Sequence, residues 1–384
     1  GRSFVINSGN PPGSWVSTSD TNWFYCANWE NLRVPDEKTD VFISGATANA
    51  DIKSNAAYAE LYNKIAKARN VFVSDNILKV NGSVLNTLEV HGDININTGG
   101  LIDMQSGGSQ DGKIYLYGNW NNNDIINGFN EGNGTVYLSG TQPQIINSND
   151  HNSPETFNNL EINNNFNTAV SNNLITNGYL KIGSGKSVTI APNDYFRIGG
   201  DITSDGNLTV ESDANLLQVN NVSNTGAITV KRDAHAMKYL EYTYWASPVS
   251  GQTFKSFSPT TPDARFYQYN ESNDLFESIQ NPSTNVFGNN KSGIFESAAK
   301  GYAIRYYGTS NLFTGTFKGA ANNGDITFPL KFKSGTTGQG YGYNMVGNPY
   351  PSNIDFYKLH AAKSGQNYNT VDFSTDVNPK AAMQ

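Results

Sequence analysis

Tyrosine is the residue type in this sequence whose spacing points most directly to a binding site. The chain contains 21 tyrosines, and an exposed aromatic face beside Asn or Asp is a surface on which a neutral sugar stacks. Several gather in the last third of the chain, at Tyr302, Tyr306, Tyr307, Tyr341, Tyr343 and Tyr350. Strand alternation separates Tyr302 and Tyr306 from Tyr307, so about half of them belong to a core. We predict ligand-binding residues at Tyr306, Tyr307, Tyr341 and Tyr343.

Paired carboxylates are the second chemistry that the sequence offers. Glycoside hydrolysis needs two carboxyl groups about 5 to 10 Å apart, and Asp residues on neighbouring turns of a coiled strand ladder satisfy that distance. The candidates are Asp93, Asp103, Asp111, Asp194, Asp201 and Asp205. Because Asp is also an ordinary corner residue of such ladders, we predict no catalytic residue.

Calcium is the metal that the composition favours, because Asp and Asn supply the hard oxygen ligands that it prefers. Clusters of these residues lie at 147–152, 201–207 and 372–376, and none has the spacing of an EF-hand loop. The histidines stand singly, without the HExxH spacing of a zinc site, at His91, His151, His235 and His360. We predict no metal ligand and no cofactor, with a structural calcium ion as the alternative.

Two further motifs carry little chemistry. The segment 183–187, GSGKS, imitates the end of a phosphate-binding loop, but Leu180 stands where that motif needs a glycine. Cys26 is the single cysteine, so no disulfide can form within the chain. Its position between Trp23 and Trp29 predicts a small, buried apolar side chain.

The overall charge and composition restrict the partners. The formal net charge is -7, whereas nucleic-acid binding depends on basic patches. Only 15% of residues are charged, well below the roughly 25% of ordinary soluble domains, which favours an extracellular β protein covered by Asn, Ser, Thr, Gly and Tyr. No apolar run approaches the roughly 20 residues of a membrane span.

The elements that must position these residues are short strands. From about residue 85 to 230 the chain repeats a triplet with apolar first and third residues and a polar or tyrosine middle residue, followed by Gly, Asn, Ser or Asp. The clearest copies begin at Leu88, Ile114, Val136, Leu160, Leu180, Val188, Phe196, Leu208 and Ile228. An antiparallel sandwich and a parallel β-solenoid both fit such strands. The turns are rich in Asn and Gly, which tolerate left-handed corners and allow amides to bond between turns, so we predict a right-handed parallel β-helix.

Three regions follow from this pattern: an N-terminal cap at 1–38, the parallel β-helix at 39–232 and an antiparallel β-sandwich at 233–384. Trp15, Trp23 and Trp29 are expected to cover the open first turn. Within the β-helix we predict a short helix beginning near Ser54 and ending near Ala68. Two polar loops are predicted to project from the strand ladder at 120–132 and 147–156, as surface decoration or, in the alternative, as contact loops. The sandwich strands are predicted at 239–246, 265–269, 275–279, 301–307, 312–318, 326–332 and 343–346.

Particular segments also resemble a known group of proteins. The stretches 134–142 (GTVYLSGTQ) and 157–164 (FNNLEINN) resemble the β-helical modules of large secreted and surface proteins of gliding and environmental Bacteroidota. The Trp-rich start and the stretches 244–249 (YWASPV) and 343–352 (YNMVGNPYPS) are similar to the regions that flank those modules. The resemblance implies an extracellular or cell-surface location and export through the type IX secretion machinery. We expect the sequence to be a mature or excised segment of a longer protein.

The expected function is a non-catalytic adhesive or structural module of a cell-surface protein. Its partners would be cell-surface or extracellular polysaccharides or other surface proteins, and not nucleic acid. The alternative is a carbohydrate-binding or polysaccharide-degrading β-helix protein, a lyase or a hydrolase, because such modules occur in adhesins and enzymes alike. Converging carboxylates in a groove would favour the enzyme, and a flat tyrosine platform would favour the binding module.

Overall fold

The structure is a computed structural model, and it is built almost entirely of β-strands. It describes residues 9–18, 20–45, 50–51, 65–80, 85–105, 112–124, 128–148, 154–164, 166–167, 173–281, 286–287, 293–296, 298–331 and 343–354. The chain divides into two compact units. Unit 1 comprises Gly1–Thr209 and Gln218–Gly226, and unit 2 comprises Val210–Leu217 and Ala227–Gln384.

Unit 1 is a ladder of short strands, most of them three or four residues long. They are β1 (Val41–Ile43), β2 (Ala50–Asp51), β3 (Ile65–Ala68), β4 (Val71–Val73), β5 (Ile77–Lys79), β6 (Thr87–Val90), β7 (Ile94–Ile96), β8 (Leu101–Asp103), β9 (Lys113–Leu116), β10 (Trp120–Asn122), β11 (Phe129–Asn130), β12 (Thr135–Leu138), β13 (Ile146–Ser148), β14 (Glu155–Phe157), β15 (Asn159–Ile162), β16 (Phe166–Asn167), β17 (Leu174–Thr176), β18 (Leu180–Ile182), β19 (Ser187–Ile190), β20 (Tyr195–Ile198), β21 (Ile202–Val210) and β22 (Asn215–Gln218). The last two strands have residues in both units.

Successive strands join successive parallel sheets, which makes the unit a β-solenoid of about six turns. Sheet 1 contains β1, β4, β7, β10 and β13, and sheet 2 contains β2, β5, β8 and β11. Sheet 3 runs through β3, β6, β9, β12, β15, β18 and β21, and sheet 4 runs through β14, β17 and β20. The predicted parallel β-solenoid is confirmed.

The core of the solenoid is formed by the apolar positions of the predicted triplets. Each triplet lies in a strand with its first and third residues buried. Along sheet 3 the register places one column of aliphatic side chains directly above one another, at Leu88, Ile114, Val136, Leu160 and Leu180. Burial of one such side chain stabilises the fold by about 1.5 to 3 kcal/mol, so the column holds the turns together without a disulfide.

The outward residues add polar bonds between turns, as the Asn-rich corners predicted. The Asn121 amide donates to Asn95 Oδ1 at 3.1 Å, and the Asn123 amide donates to Asn97 Oδ1 at 3.1 Å. The carboxylate of Asp93 accepts a hydrogen bond from the backbone N–H of Asn119 at 2.7 Å. These bonds link one turn to the next and satisfy polar groups at the edges of the sheets.

The tryptophan-rich cap covers the first turn. Trp15, Trp23 and Trp29 are buried, and their rings meet edge to face at centroid distances of 4.9 and 4.6 Å. The indole N–H of Trp29 donates to the Trp23 carbonyl at 2.6 Å. The backbone N–H of Trp15 donates to the Phe42 carbonyl at 2.9 Å, so the cap bonds directly to strand β1.

The two predicted polar loops are wrong where the structure describes them. Trp120–Asn122 forms strand β10 and Glu155–Phe157 forms strand β14. Their polar residues continue the ladder because they pair inside it: the Asn122 amide donates to Glu155 Oε2 at 3.0 Å, and both side chains are buried. Strands β10 and β14 each bury a polar side chain, Asn122 and Glu155. The triplet pattern, which requires apolar residues at the first and third positions, therefore does not identify these strands.

Two smaller predictions in unit 1 also need correction. The predicted helix ends in a strand, because Ile65 and Ala68 belong to β3, while residues 52–64 lie outside the described residues. Cys26 is exposed rather than buried. It opens a single 3-10 turn, Cys26–Asn28, in which the buried side chain is that of Asn28.

Unit 2 contains two antiparallel layers. Its remaining elements are β23 (Thr225–Asp233, of which Ala227 onward belongs to this unit), β24 (Tyr242–Trp245), α1 (Phe254–Phe257), β25 (Phe266–Asn270), β26 (Leu275–Ser278), β27 (Gln280–Asn281), β28 (Val286–Phe287), β29 (Tyr302–Arg305) and β30 (Thr314–Gly319). Strands β24, β29, β25 and β26 form one sheet in that order, and β23 pairs with β30. The short pair β27 and β28 is also antiparallel.

An aromatic core lies between these layers, as expected of a β-sandwich. Phe257 of α1 contacts Trp245 of the four-stranded sheet at a centroid distance of 5.0 Å and Phe317 of β30 at 4.5 Å. Phe254 contacts Tyr302 at 4.9 Å. Edge-to-face and tilted aromatic pairs of this kind contribute about 0.5 to 1.5 kcal/mol each beyond their buried area, so this cluster fixes the inner face of the sheet.

Two predicted sandwich strands are wrong. Residues 326–331 form no strand, because Pro329 removes a backbone donor from the middle of that stretch. Residues 343–346 make a single isolated bridge, between Lys300 and Val346. The other predicted strands of the sandwich are confirmed in the described part of the chain as β24, β25, β26, β29 and β30.

Candidate functional site

The outward side of the four-stranded sheet in unit 2 exposes aromatic residues in an ordered array. The sequence YTYW at 242–245 alternates along β24, so Thr243 and Trp245 face the core while Tyr242 and Tyr244 face outward. Tyr242 is 41% exposed and Tyr244 is 40% exposed. The core side of the strand is fixed by Trp245, and this orientation leaves both tyrosines on the surface.

The neighbouring strands extend this array around a small central residue. The register pairs Ala303 of β29 with Tyr244 on one side and with Tyr267 of β25 on the other. The rings of Tyr244 and Phe276 lie nearly parallel, with an interplanar angle of 16° and a centroid distance of 6.3 Å. Phe276 is itself 48% exposed. We call the set Tyr242, Tyr244, Tyr267, Tyr269 and Phe276 the aromatic face.

Two arginines border the aromatic face. Arg305 lies opposite Tyr242 in the strand register, with its Cζ 5.2 Å from the centroid of that ring, and its Nε donates to the Leu240 carbonyl at 2.9 Å. Arg265 Nη1 donates to the Tyr267 hydroxyl at 3.0 Å. We call Arg265 and Arg305 the arginine pair. Within the part of the chain that the structure describes, neither guanidinium forms an ion pair with a carboxylate.

Local electrostatics keep these groups in defined protonation states. The hydrogen bond to Tyr267 raises the pKa of the Arg265 guanidinium, so it remains a cation. Burial raises the pKa of the Tyr269 hydroxyl, and its hydrogen bond to Asp274 adds to that effect. Tyr269 is therefore a neutral donor at physiological pH. The arginine pair places positive charge at one border of the face, and the Asp274 carboxylate lies at Tyr269.

The predicted ligand-binding tyrosines occupy different environments. Tyr306 is buried, and its hydroxyl donates to the Ser310 carbonyl at 2.7 Å. Tyr307 is half-buried and meets Tyr239 edge to face at 5.6 Å. Tyr343 is exposed, and Tyr341 lies outside the described residues. Tyr306 therefore does not lie on the surface that carries Tyr307, in agreement with the strand alternation in the sequence.

The residues of the aromatic face itself were not identified from the sequence. The signal was present in the two stretches YTYW at 242–245 and FYQYN at 266–270, where alternate residues are aromatic. Alternation separates the two faces of each strand, but it does not say which face is buried or which strands are neighbours. The burial of one face and the order of the strands together bring Tyr242, Tyr244 and Tyr267 to one surface, and both are known only from the folded sheet.

Three acidic candidates of the solenoid, Asp93, Asp103 and Asp201, accept hydrogen bonds within the strand ladder. Besides Asp93, the Asp103 carboxylate accepts from Gln105 N–H at 3.0 Å and from the Asn130 amide at 3.1 Å. Asp201 accepts from the Thr203 hydroxyl at 3.4 Å, Asp194 is buried and Asp205 is exposed. Asp111 lies outside the described residues. Among the residues described, no three His, Cys, Asp or Glu side chains converge as a metal site would require.

Comparison with known proteins assigns the chain to a family. The fold defines an all-β protein with a parallel solenoid and an antiparallel sheet. The chain belongs to the family of a domain of unknown function, DUF8693, whose family model matches residues 144–384. The matched range includes the aromatic face and the arginine pair. Neither a curated protein nor a solved structure matches the chain. None of the helices in the described ranges has the length and apolar character needed to cross a membrane.

Proposed function

We propose that this chain is a non-catalytic adhesive module that binds carbohydrate through the aromatic face. The observation that carries the proposal is the exposure of Tyr242, Tyr244 and Phe276 on one side of one sheet, although each ring is a large apolar surface. Soluble proteins rarely leave such surfaces clustered unless they bind something. Tyrosine combines a flat apolar ring with a hydroxyl, which suits the alternating apolar faces and hydroxyl groups of a sugar.

The sheet beneath the rings supports a binding role because it holds them in place. Trp245 and Tyr302 anchor adjacent strands in the aromatic core, and the register fixes Tyr244 over Ala303. The Tyr242 and Tyr267 rings meet edge to face at 5.6 Å, which limits their rotation. A ligand that stacks on rings already ordered loses less conformational entropy on binding.

The proposed setting is the outside of a bacterial cell. It is supported by the resemblance of the segments at 134–142 and 157–164 to modules exported by the type IX system, by the similarity of 244–249 to a region that flanks those modules, and by the low share of charged residues. In that setting the module would attach a larger surface protein, such as one used in gliding, to polysaccharide or to other surface proteins.

A degradative role draws less support from the described residues. The carboxylates of Asp93 and Asp103 accept hydrogen bonds from neighbouring turns. Glu155 has the raised pKa, about 7, that a general acid requires, but its side chain lies buried inside the solenoid, against Asn122. No substrate reaches a carboxyl group in that position. We therefore favour binding without cleavage.

The test is a panel of polysaccharides in which binding and the release of reducing ends or unsaturated products are read from the same samples. We expect binding without product, and we expect Tyr244→Ala and Phe276→Ala each to weaken it by about tenfold or more. The estimate assumes that a sugar stacked on one ring contributes about as much as a stacked base, on the order of 1 to 3 kcal/mol. Tyr25→Ala is the matched control, because Tyr25 is 48% exposed but lies in the cap. Product release, or equal binding by Tyr244→Ala and the wild type, would overturn the proposal.

A further inference from the structure

The arginine pair is an unusual local arrangement of charge. The antiparallel register pairs Phe266 with Ile304, and the next residues beyond this pair are Arg265, which ends a 3-10 turn, and Arg305, which ends β29. Both side chains are on the outward side, since Phe266 and Ile304 are buried in the core. Two cations therefore lie at the same edge of the sheet.

Several other cations of the chain pair with carboxylates. Arg33 lies 2.6 Å from Asp36, Lys231 lies 2.8 Å from Glu211, and Arg69 pairs with Asp40. The nearest acidic residue in sequence to Arg265 is Asp263, and it lies 3.4 Å from Lys255. In a chain with a net charge of -7, carboxylates are plentiful. The guanidiniums of the arginine pair form no ion pair with a carboxylate among the described residues, so they can pair with an anion that a ligand supplies.

Tyrosine hydroxyls lie around the same point. Tyr267 accepts from Arg265 and its ring contacts that of Tyr242. The Tyr267 and Tyr307 hydroxyls both raise the pKa of Arg265, which keeps it a cation. Guanidiniums bind anionic oxygen groups through paired N–H groups. The arginine pair thus supplies N–H donors for one oxyanion, and among the described residues it has no ion pair with a carboxylate.

We propose that the aromatic face binds an anionic polysaccharide, with one sugar carboxylate or sulfate on Arg265 and Arg305 and the adjoining sugar ring on Tyr244 and Phe276. This inference rests on the proposed function and specifies its ligand. The stacked pair at 6.3 Å lies on the same side of the same sheet as the arginine pair. A free inorganic anion would use only the guanidiniums, whereas a charged sugar chain uses both features.

The experiment compares polymers that share a backbone and differ in charge. Polygalacturonate and its methyl ester test the carboxylate, and dextran sulfate and dextran test the sulfate. We expect the full chain to bind at least one charged polymer about tenfold or more tightly than its neutral counterpart, a difference of about 1.4 kcal/mol. In the double variant Arg265→Gln, Arg305→Gln that preference should disappear while binding of the neutral polymer persists. Arg33→Gln is the control, because Arg33 is an exposed cation in the cap.

The outcomes separate this inference from the proposed function. Equal binding of charged and neutral polymers, with loss of both in Tyr244→Ala, would overturn the anionic ligand and leave the carbohydrate-binding function standing. A charge preference that survives in the double variant would also overturn the inference. Absence of binding to all four polymers would overturn both. Circular dichroism of each variant confirms that the fold is retained.

Discussion

At the scale of single residues, the buried carboxyl of Glu155 gives the solenoid a dependence on pH. Burial raises the pKa of this group to about 7, against the opposing effect of the hydrogen bond from Asn122. A carboxyl group with a raised pKa is bound to its proton more tightly in the folded chain than in the unfolded chain. Its contribution to stability is therefore complete below the unfolded pKa of 4.5 and is lost as the pH rises through 7.

We accordingly predict that the free energy of unfolding falls between about pH 5 and about pH 8, by on the order of 3 kcal/mol from this group. Glu155→Gln should remove that part of the slope, because Gln is neutral and retains an oxygen that accepts from Asn122. Urea unfolding at several pH values measures the difference. Glu37→Gln, at an exposed position, is the control; equal slopes for the wild type and Glu155→Gln would contradict the prediction.

The sequence alone does not predict that Glu155 is buried. Glu155 opens the stretch ETF, where a polar first position predicts a loop or a strand facing water. Its burial follows from the turn before it, because Asn122 of β10 offers the amide that makes an inward carboxyl tolerable. Asn122 and Glu155 are 33 residues apart in sequence. Their contact therefore depends on how the turns of the solenoid stack, which the local sequence pattern does not give.

At the scale of elements, sheet 3 carries a row of outward side chains that complements its buried column. The middle residues of successive strands face each other in the order Lys67, Glu89, Tyr115, Tyr137, Glu161 and Lys181. Lys67 lies 3.5 Å from Glu89, and Lys181 lies 3.7 Å from Glu161. Between these ion pairs the rings of Tyr115 and Tyr137 stack at 4.3 Å, so each turn interacts with the next on its outer side as well.

We predict that Tyr115 and Tyr137 stabilise the solenoid jointly. A double-mutant cycle with Tyr115→Ala and Tyr137→Ala should give a coupling energy of about 1 kcal/mol, the usual value for an aromatic pair. The measurement is urea unfolding of the two single variants and the double variant. Tyr115→Ala combined with Tyr25→Ala is the control pair, and it should be additive; additivity of the first pair would show that the stack contributes nothing.

The triplets predicted the strands from β6 to β18 in this row, whereas β3 was predicted as a helix, and they did not predict the row itself. The alternation at Leu88, Ile114 and Val136 identifies which residue of each strand faces outward. Which outward residues become neighbours depends on every intervening turn, including β10, whose sequence WNN lacks the triplet pattern. Because β10 lacks the triplet pattern, the stretch 120–132 was interpreted as a loop.

At the scale of the whole molecule, the fold was more predictable than the site. Apolar alternation identifies strands locally, and Asn-rich and Gly-rich corners distinguish a solenoid from a sandwich. The predicted boundary between the second and third regions lies at 232 and 233, whereas the two compact units exchange residues between 209 and 227. A binding face needs the order and register of four strands, which are set by the aromatic core around Phe254 and Phe257.

We predict that the cap governs the stability of unit 1. Trp29 is fully buried, contacts both other cap tryptophans and donates to the Trp23 carbonyl. Trp29→Ala should lower the free energy of unfolding of this unit by about 3 to 5 kcal/mol, as expected when a large core side chain is truncated. Denaturant unfolding followed by circular dichroism measures it, with Tyr25→Ala as the cap control. A loss below about 1 kcal/mol would contradict a structural role for the cap.

The bond between the cap and strand β1 has a further consequence. A stack of parallel strands presents at its end the same unpaired N–H and C=O groups that its own next turn would use, so an uncovered end is a template for another copy of the chain. The bridge from Ser14 to Phe42 and the Trp15 N–H occupy those groups on β1. On sheet 1 the cap thereby occupies the backbone groups through which another copy of the chain would otherwise extend the ladder.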